Sequence, residues 1–360
     1  MTKDGPLRIA MLAPPWIPVP APAYGGIEEV VRLLCEGLAD RGHHVTLFAP
    51  PGSDSRAEVV TVLETSHPDE IEKAQFEADH VARVFSAIDA AAERGEPYDV
   101  IHDHVGHTAL AMADRVGAPL VHTLHGPFTE DACRFYARHG AKACIVAISQ
   151  AQLDDAPKEM GGGRVVHNPI DCAEWPFRAE KDDGLLWIGR MSPDKGPDRA
   201  ITAAREAGVP LVLAGPVQPG QEAYFAEQVE PALGDGVEYV GEADAERKRE
   251  LYGRARALLM PIRWPEPFGL VMVEALACGT PVIAFPEGSA PEVVEDGVTG
   301  FVVEDEHAMA AAVGRLGEID PATCREQCHQ RFGVPAVVRA YEEVYRSAMT
   351  DRASRDYVLG

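Results

Sequence analysis

The chain has 360 residues, with 57 Asp or Glu against 33 Lys or Arg, a formal charge of −24. That balance excludes an extended nucleic-acid or anionic-membrane surface but allows a local basic pocket. Apolar residues make up 46%, which suits the cores of two ordinary domains and excludes a disordered chain. The seven cysteines, at 35, 133, 144, 172, 278, 324 and 328, contain no C-x-x-C pair. Reduced thiols in a cytoplasmic protein are predicted rather than a metal site. The opening residues lead directly into a strand without the apolar core of a signal peptide, and no run of 18 apolar residues occurs, so no transmembrane segment is predicted.

Leu7 to Ala13 is an apolar run suited to a buried parallel strand. A stiff proline-rich loop follows, ending in Tyr24-Gly25-Gly26. Helical spacing then runs through Ile27, Val30, Val31, Leu34 and Leu38, and His44 to Ala49 reads as a second strand. Strand, glycine turn, helix and strand make one βαβ unit. Backbone amides at Gly25 and Gly26, free of side chains, would let a diphosphate approach. A bare glycine pair is equally an ordinary loop device.

Val59 to Leu63 reads as a strand and Glu70 to Glu93 as a long helix, with Ile71 among its apolar positions. Strands are expected to end at His104 and at His125, and a further one covers Ala143 to Ile148. Histidines 102, 104, 107, 122 and 125 invite a metal, yet parallel strands commonly end in polar residues at a ligand cleft; no metal is predicted. A linker over Cys172 to Asp183 precedes a fresh strand, Gly184 to Ile188, and the loop Gly189-Arg190-Met-Ser-Pro-Asp-Lys195-Gly196. Fixed cations there would stabilise the charge that grows on a departing diphosphate. Further strand and helix alternation follows, and a helix over Pro335 to Ala348 precedes a tail, Thr350 to Gly360, expected to be loose.

Leu258 to Met260 reads as a strand end, and Arg263 to Phe268 as a loop restricted by two prolines. An apolar helix then contains Glu274, where a carboxylate is costly unless paired or bound. Helical geometry from about Glu266 sets the two carboxylates roughly 12 Å apart along the axis and about 80° apart around it. Unneutralised amides at the helix start also favour an anion.

Glu266-Pro-Phe-Gly-Leu-Val-Met-Val-Glu274 resembles the E-x7-E motif of family 4 of the retaining glycosyltransferases, and Gly189 to Gly196 resembles its G-R-x4-K-G segment. The resemblance implies an α/β protein of GT-B fold, two Rossmann-like domains whose parallel sheets face across a cleft. Residues 1–172 would form the acceptor side and 184–334 the donor side, with a helix over 335–349 crossing back. In family terms Arg190 and Lys195, with Gly189, would hold the donor pyrophosphate. Glu266 and His125 would meet the donor sugar, and Glu274 the ribose. Gly25 and Gly26 would lie by the donor phosphate, and Phe268, Gly269 and Leu270 in the nucleotide site. The loop Ala21 to Glu28 is most similar to bacterial members that glucosylate small molecules from UDP-glucose.

The implied reaction moves a hexosyl group, glucose from UDP-glucose, to a hydroxyl of a small molecule or glycan with α configuration retained. In similar enzymes the donor β-phosphate acts as base, and no residue here announces itself as a covalent nucleophile. No D-x-D triad occurs, so neither an obligatory divalent metal nor a tightly bound cofactor is implied. Two other readings stay open on the same fold: a sugar-nucleotide 2-epimerase, which would convert UDP-GlcNAc without an acceptor, and a non-catalytic sugar-nucleotide-binding protein.

Overall fold

The computed structural model describes residues 5–22, 25–71 and 73–359, the last eight as backbone. Ala23 and Tyr24 of the glycine loop lie outside the described residues. The chain divides into two compact units, Met1–Pro169 with Val334–Gly360, and Ile170–Gly333.

The first unit carries β1 (Arg8–Leu12), β2 (His44–Phe48), β3 (Glu58–Val60), β4 (Val100–Asp103), β5 (Leu120–Leu124), β6 (Cys144–Ala147) and β7 (Arg164–Val165). They form one sheet in the order β3-β2-β1-β4-β5-β6-β7, with parallel pairing throughout. Side chains alternate between faces along each strand. Ile9 and Met11 of β1 join Val30, Val31, Leu34 and Leu38 of the helix Gly26–Asp40 and Val338 and Tyr341 of the helix Val334–Leu359. Ala10 and Leu12 join Val81, Val84, Phe85 and Ile88 of the helix Ala74–Glu93 on the other face. Burial on both faces explains why β1 reads as a continuous apolar run rather than an alternating one. Gly37 lets the C-terminal helix approach: a Cβ there would lie 2.5 Å from Val334 Cγ1 and 2.7 Å from Val338 Cγ2.

The second unit carries β8 (Leu185–Ile188), β9 (Leu211–Ala214), β10 (Val237–Tyr239), β11 (Leu258–Met260), β12 (Val282–Ala284) and β13 (Gly300–Val302). Its sheet, in the order β10-β9-β8-β11-β12-β13, is again parallel. The helices Pro197–Ala207 and Glu306–Val313 pack together, as do Leu270–Ala277 and Pro321–Phe332. In each unit the strand order reverses beside the first strand, between β1 and β4 and between β8 and β11. Loops leaving the C-terminal ends of such a pair diverge and open a crevice.

Several expectations change. The helix predicted from Glu70 starts at Ala74, after a 3-10 turn over Pro68–Glu70. Ile71 therefore lies outside it and is 51% exposed. The tail expected to be loose continues the helix to Leu359, because no Gly or Pro interrupts residues 350–359. Among the described residues no helix is long and apolar enough to cross a membrane.

His80 gives the first unit a defined response to acid. It is fully buried, and its Nε2–H donates to the Ala13 carbonyl at 3.1 Å. Burial holds its pKa down to about 4. A folded-state pKa below the unfolded value of about 6.5 means that the unfolded chain takes up the proton first, so stability falls as pH drops through that window. Between pH 7 and pH 5 His80 should remove about 2 kcal/mol of unfolding free energy. Denaturant unfolding at both pH values checks this, with His80→Leu as reference. The variant should lose that part of the slope whatever its absolute stability, and an unchanged slope would contradict the prediction.

Candidate active site

Two loops leave the switch point of the second sheet. The first follows β8. Trp187 donates its indole N–H to the Lys195 carbonyl at 3.2 Å, and Gly196, at φ 69°, turns the chain into the helix Pro197–Ala207. Gly215 (φ +138°) lies against this loop so closely that a Cβ would be 1.8 Å from the Gly189 carbonyl oxygen. The second loop follows β11, from Pro261 to Gly269. Arg199 stitches the two, donating from Nε to Pro261 O at 2.7 Å and from Nη2 to Pro193 O at 2.9 Å. The amide of Arg263 adds a bond to Asp194 O at 2.9 Å.

Between these loops the Lys195 ammonium meets Glu266 Oε2, both side chains being largely buried. Trp264 donates its indole N–H to the same oxygen at 3.0 Å, and its ring carries the Lys195 ammonium 4.5 Å from its centre. Glu266 Oε2 is thus occupied by two donors while Oε1 has no partner among the described residues. Arg190 lies alongside, 3.6 Å from Asp194 and with 40% of its side chain exposed.

The structure corrects the helical geometry assigned to Glu266. The helix is Leu270–Ala277, and Gly269 before it adopts φ +75°, so Glu266 and Phe268 belong to the loop and the eight-step helical spacing does not apply. The backbone of Glu266 is fixed instead by the turn after β12. Ser289 donates its amide to Glu266 O at 3.0 Å and its hydroxyl to Phe268 O at 2.7 Å. Gly288 (φ +54°) leaves no room for a side chain, since a Cβ would lie 2.3 Å from Glu266 O.

Glu274 is the carboxylate inside the apolar helix, and it is paired. The Tyr252 hydroxyl donates to Oε2 at 2.8 Å, and Lys248 Nζ lies 3.7 Å from Oε1. Burial, with the negative charge of Glu274, holds the Tyr252 phenol well above its usual range, so it remains a donor. Tyr252 and Lys248 sit on the helix Ala245–Arg254.

In the first unit, β4 and β5 end in the predicted histidine cluster, wired by hydrogen bonds. His102 bonds Tyr345 Oη and Thr123 Oγ1, each at 2.8 Å. His122 bonds Asp103 Oδ2 at 2.6 Å and Tyr136 Oη at 2.7 Å. His125 Nε2 lies 2.8 Å from His104 Nδ1; burial holds the His125 pKa down to about 3, so its ring is neutral. Among the described residues no three His, Cys, Asp or Glu side chains are grouped to hold a metal. Gly26 opens the helix Gly26–Asp40, and Gly25 precedes it with extended backbone. Packing also requires Gly25, because a Cβ would lie 2.3 Å from Ala21 Cβ and 2.7 Å from Glu28 Oε2.

Sequence reading missed Trp264, Arg199, Gly288, Tyr252 and Lys248. For Trp264 a signal existed, an indole two residues before the loop carboxylate; for Tyr252, 22 positions from Glu274, none did.

The chain matches two families, described as Glycosyltransferase Family 4 over residues 24–174 and Glycosyl transferases group 1 over residues 174–328. It is 28% identical to D-inositol 3-phosphate glycosyltransferase of Acidothermus cellulolyticus, over 96% of this chain and 92% of the relative. The solved structure of AviGT4, a glycosyltransferase involved in avilamycin A biosynthesis, superposes with a TM-score of 0.72 at 27% identity, over 96% of this chain and 99% of that one. Anabaena HepE, solved with UDP and glucose, shares the fold with a TM-score of 0.69 at 21% identity, over 94% and 99% of the two chains. Paired parallel sheets, the two switch-point loops and these likenesses lead to one conclusion: the chain is a glycosyltransferase of GT-B fold, related to the family 4 enzymes, that transfers a sugar from a nucleoside diphosphate donor.

Proposed function

We propose that the enzyme transfers glucose from UDP-glucose to a hydroxyl of a small-molecule acceptor with retention of the α configuration. The observation that carries this reading is the Lys195–Glu266 pair on Trp264, set between the two loops of a sheet switch point. A diphosphate draws Lys195 and Arg190, and a sugar hydroxyl takes the open Oε1 of Glu266. Glu274, held by Tyr252, receives the ribose, with Gly189, the loop residue Phe268 and the helix-start residues Gly269 and Leu270 around the nucleotide. In this reading residues 184–334 form the donor side. Residues 1–172 supply His125 to the sugar, Gly25 and Gly26 to the phosphate, and the acceptor contacts. Both motif carboxylates are already engaged by neighbouring donors, which supports a reaction without a carboxylate nucleophile. The departing β-phosphate then takes the acceptor proton, and the cations stabilise the charge it gains.

The name of the Acidothermus relative refers to D-inositol 3-phosphate, a small cyclitol phosphate, which supports a small acceptor. The compartment we assign is the cytoplasm, supported by seven free thiols. Calorimetry with UDP-, GDP- and ADP-glucose, followed by mass spectrometry of products with candidate alcohols, tests the reading. Tightest binding of UDP-glucose and a hexosylated product are expected; absence of transfer from any donor would overturn it.

Lys195→Ala should lower kcat by about 10²-fold or more, the scale of one preorganised charge contact. Normal kcat together with normal UDP affinity would remove Lys195 from the site. The two glutamates should separate in calorimetry. Glu274→Ala should weaken UDP itself, whereas Glu266→Ala should spare UDP and weaken only UDP-glucose. Equal losses on both ligands would refute that division. Trp264→Phe keeps a ring under Lys195 but removes the donor to Glu266; a loss of about tenfold in kcat/KM for the sugar donor is expected, the scale of one hydrogen bond to a charged group. An unaltered kcat/KM would show that the indole N–H has no part in holding Glu266.

A further inference from the structure

We propose that His104 is a positioning residue that fixes His125 as its Nδ1–H tautomer, so that His125 meets the donor sugar as a hydrogen-bond donor. The inference rests on the reading above that His125 contacts that sugar. His104 directly follows β4 and is 2% exposed. Its ring neighbours two others, with the His102 centroid at 4.1 Å and the His125 centroid at 5.1 Å, the latter inclined by 26°. Its Nδ1 is 2.8 Å from His125 Nε2, and its Nε2 is buried with no hydrogen-bond partner among the described residues.

Burial pushes the pKa of His102, His104 and His125 downward. Each ring is therefore neutral, with one N–H and one bare nitrogen. A contact of 2.8 Å between two neutral imidazoles holds a single proton. Two arrangements satisfy it. If His125 donates from Nε2, His104 accepts at Nδ1 and its own proton sits on Nε2, a buried N–H with no acceptor. If His104 donates from Nδ1, its orphaned Nε2 is only a lone pair. Orphaned buried N–H groups are the rarer defect in folded proteins, and the second arrangement avoids one. His125 then accepts at Nε2 and carries its proton on Nδ1, the nitrogen left for a ligand. His102 cannot take over this role, because both of its nitrogens are bonded, to Tyr345 and Thr123.

The test uses the full chain labelled with 15N-histidine. Long-range proton–nitrogen correlation spectra show which ring nitrogen carries the proton, and His125→Gln identifies the His125 signals. A wild-type His125 protonated at Nδ1 and bare at Nε2 is expected; protonation at Nε2 would overturn the assignment. Kinetics give a second readout. In His104→Asn the amide N–H stands near the place of Nδ1–H, so kcat/KM for the sugar donor should stay within about threefold of wild type. His104→Leu should lose about tenfold, one hydrogen bond's worth of orientation, with UDP affinity unchanged. An asparagine variant as impaired as the leucine variant, or UDP affinity falling in step with that of the donor, would also overturn the proposal. If no glycosyl transfer occurs at all, the functional reading fails, and the wild-type spectrum still decides the tautomer.

Discussion

The ion pair between Lys195 and Glu266 is the contact on which the second unit's candidate site depends. Burying a carboxylate and an ammonium costs several kcal/mol of desolvation per ion, offset only when geometry and supporting hydrogen bonds are good. Trp264 supplies that support on both sides: its N–H reaches the carboxylate and its face underlies the ammonium. The pair also needs two loops from different strands in fixed register, which Arg199, the Arg263 amide and the Gly288-Ser289 turn provide. In a chain of charge −24, pairing leaves this pocket locally neutral. A diphosphate sugar then exchanges partners with the pair: phosphate replaces carboxylate at Lys195, and a hydroxyl takes up Glu266.

The two units differ in electrostatic character. In the second, charge is met by charge or by a charge-assisted donor, as at Lys195–Glu266 and at Tyr252–Glu274. In the first, the ends of β4 and β5 carry imidazoles and a threonine hydroxyl bonded to one another and to phenols from helices, with His102, His104 and His125 held neutral by burial and His122 tied to the carboxylate of Asp103. Charged groups suit a diphosphate, whereas neutral donors and acceptors with fixed protons suit hydroxyl groups. The C-terminal helix belongs to the neutral network, since Tyr341 and Tyr345 reach Thr123 and His102 from it.

Much of this was legible in the sequence because it rests on local pattern. Buried parallel strands announce themselves as short apolar runs, and the loops after β8 and β11 carry their polar residues in sequence-adjacent motifs. A carboxylate in an apolar helix is equally conspicuous at Glu274. The contacts that complete the site were not legible, because they join residues that only folding brings together: Tyr252 to Glu274, Arg199 to Pro261, Ser289 to Glu266. The start of the helix after Glu266 was misjudged for a related reason. Gly269 reads as part of a helical run, and only its positive φ shows that the chain turns there. The C-terminal tail from Thr350 was expected to be loose, but the helix before it, anchored by Val337, Val338, Tyr341 and Tyr345, propagates to Leu359 at small cost per residue once nucleated.

The most direct test of the central claim is a crystal structure of the enzyme with UDP-glucose. The account predicts that the Lys195 ammonium leaves Glu266 Oε2 for the diphosphate while Glu266 Oε1 accepts from a hydroxyl of the glucose, with Trp264 still bonded to the carboxylate. A donor bound with the Lys195–Glu266 pair intact, and with neither side chain touching it, would contradict the account.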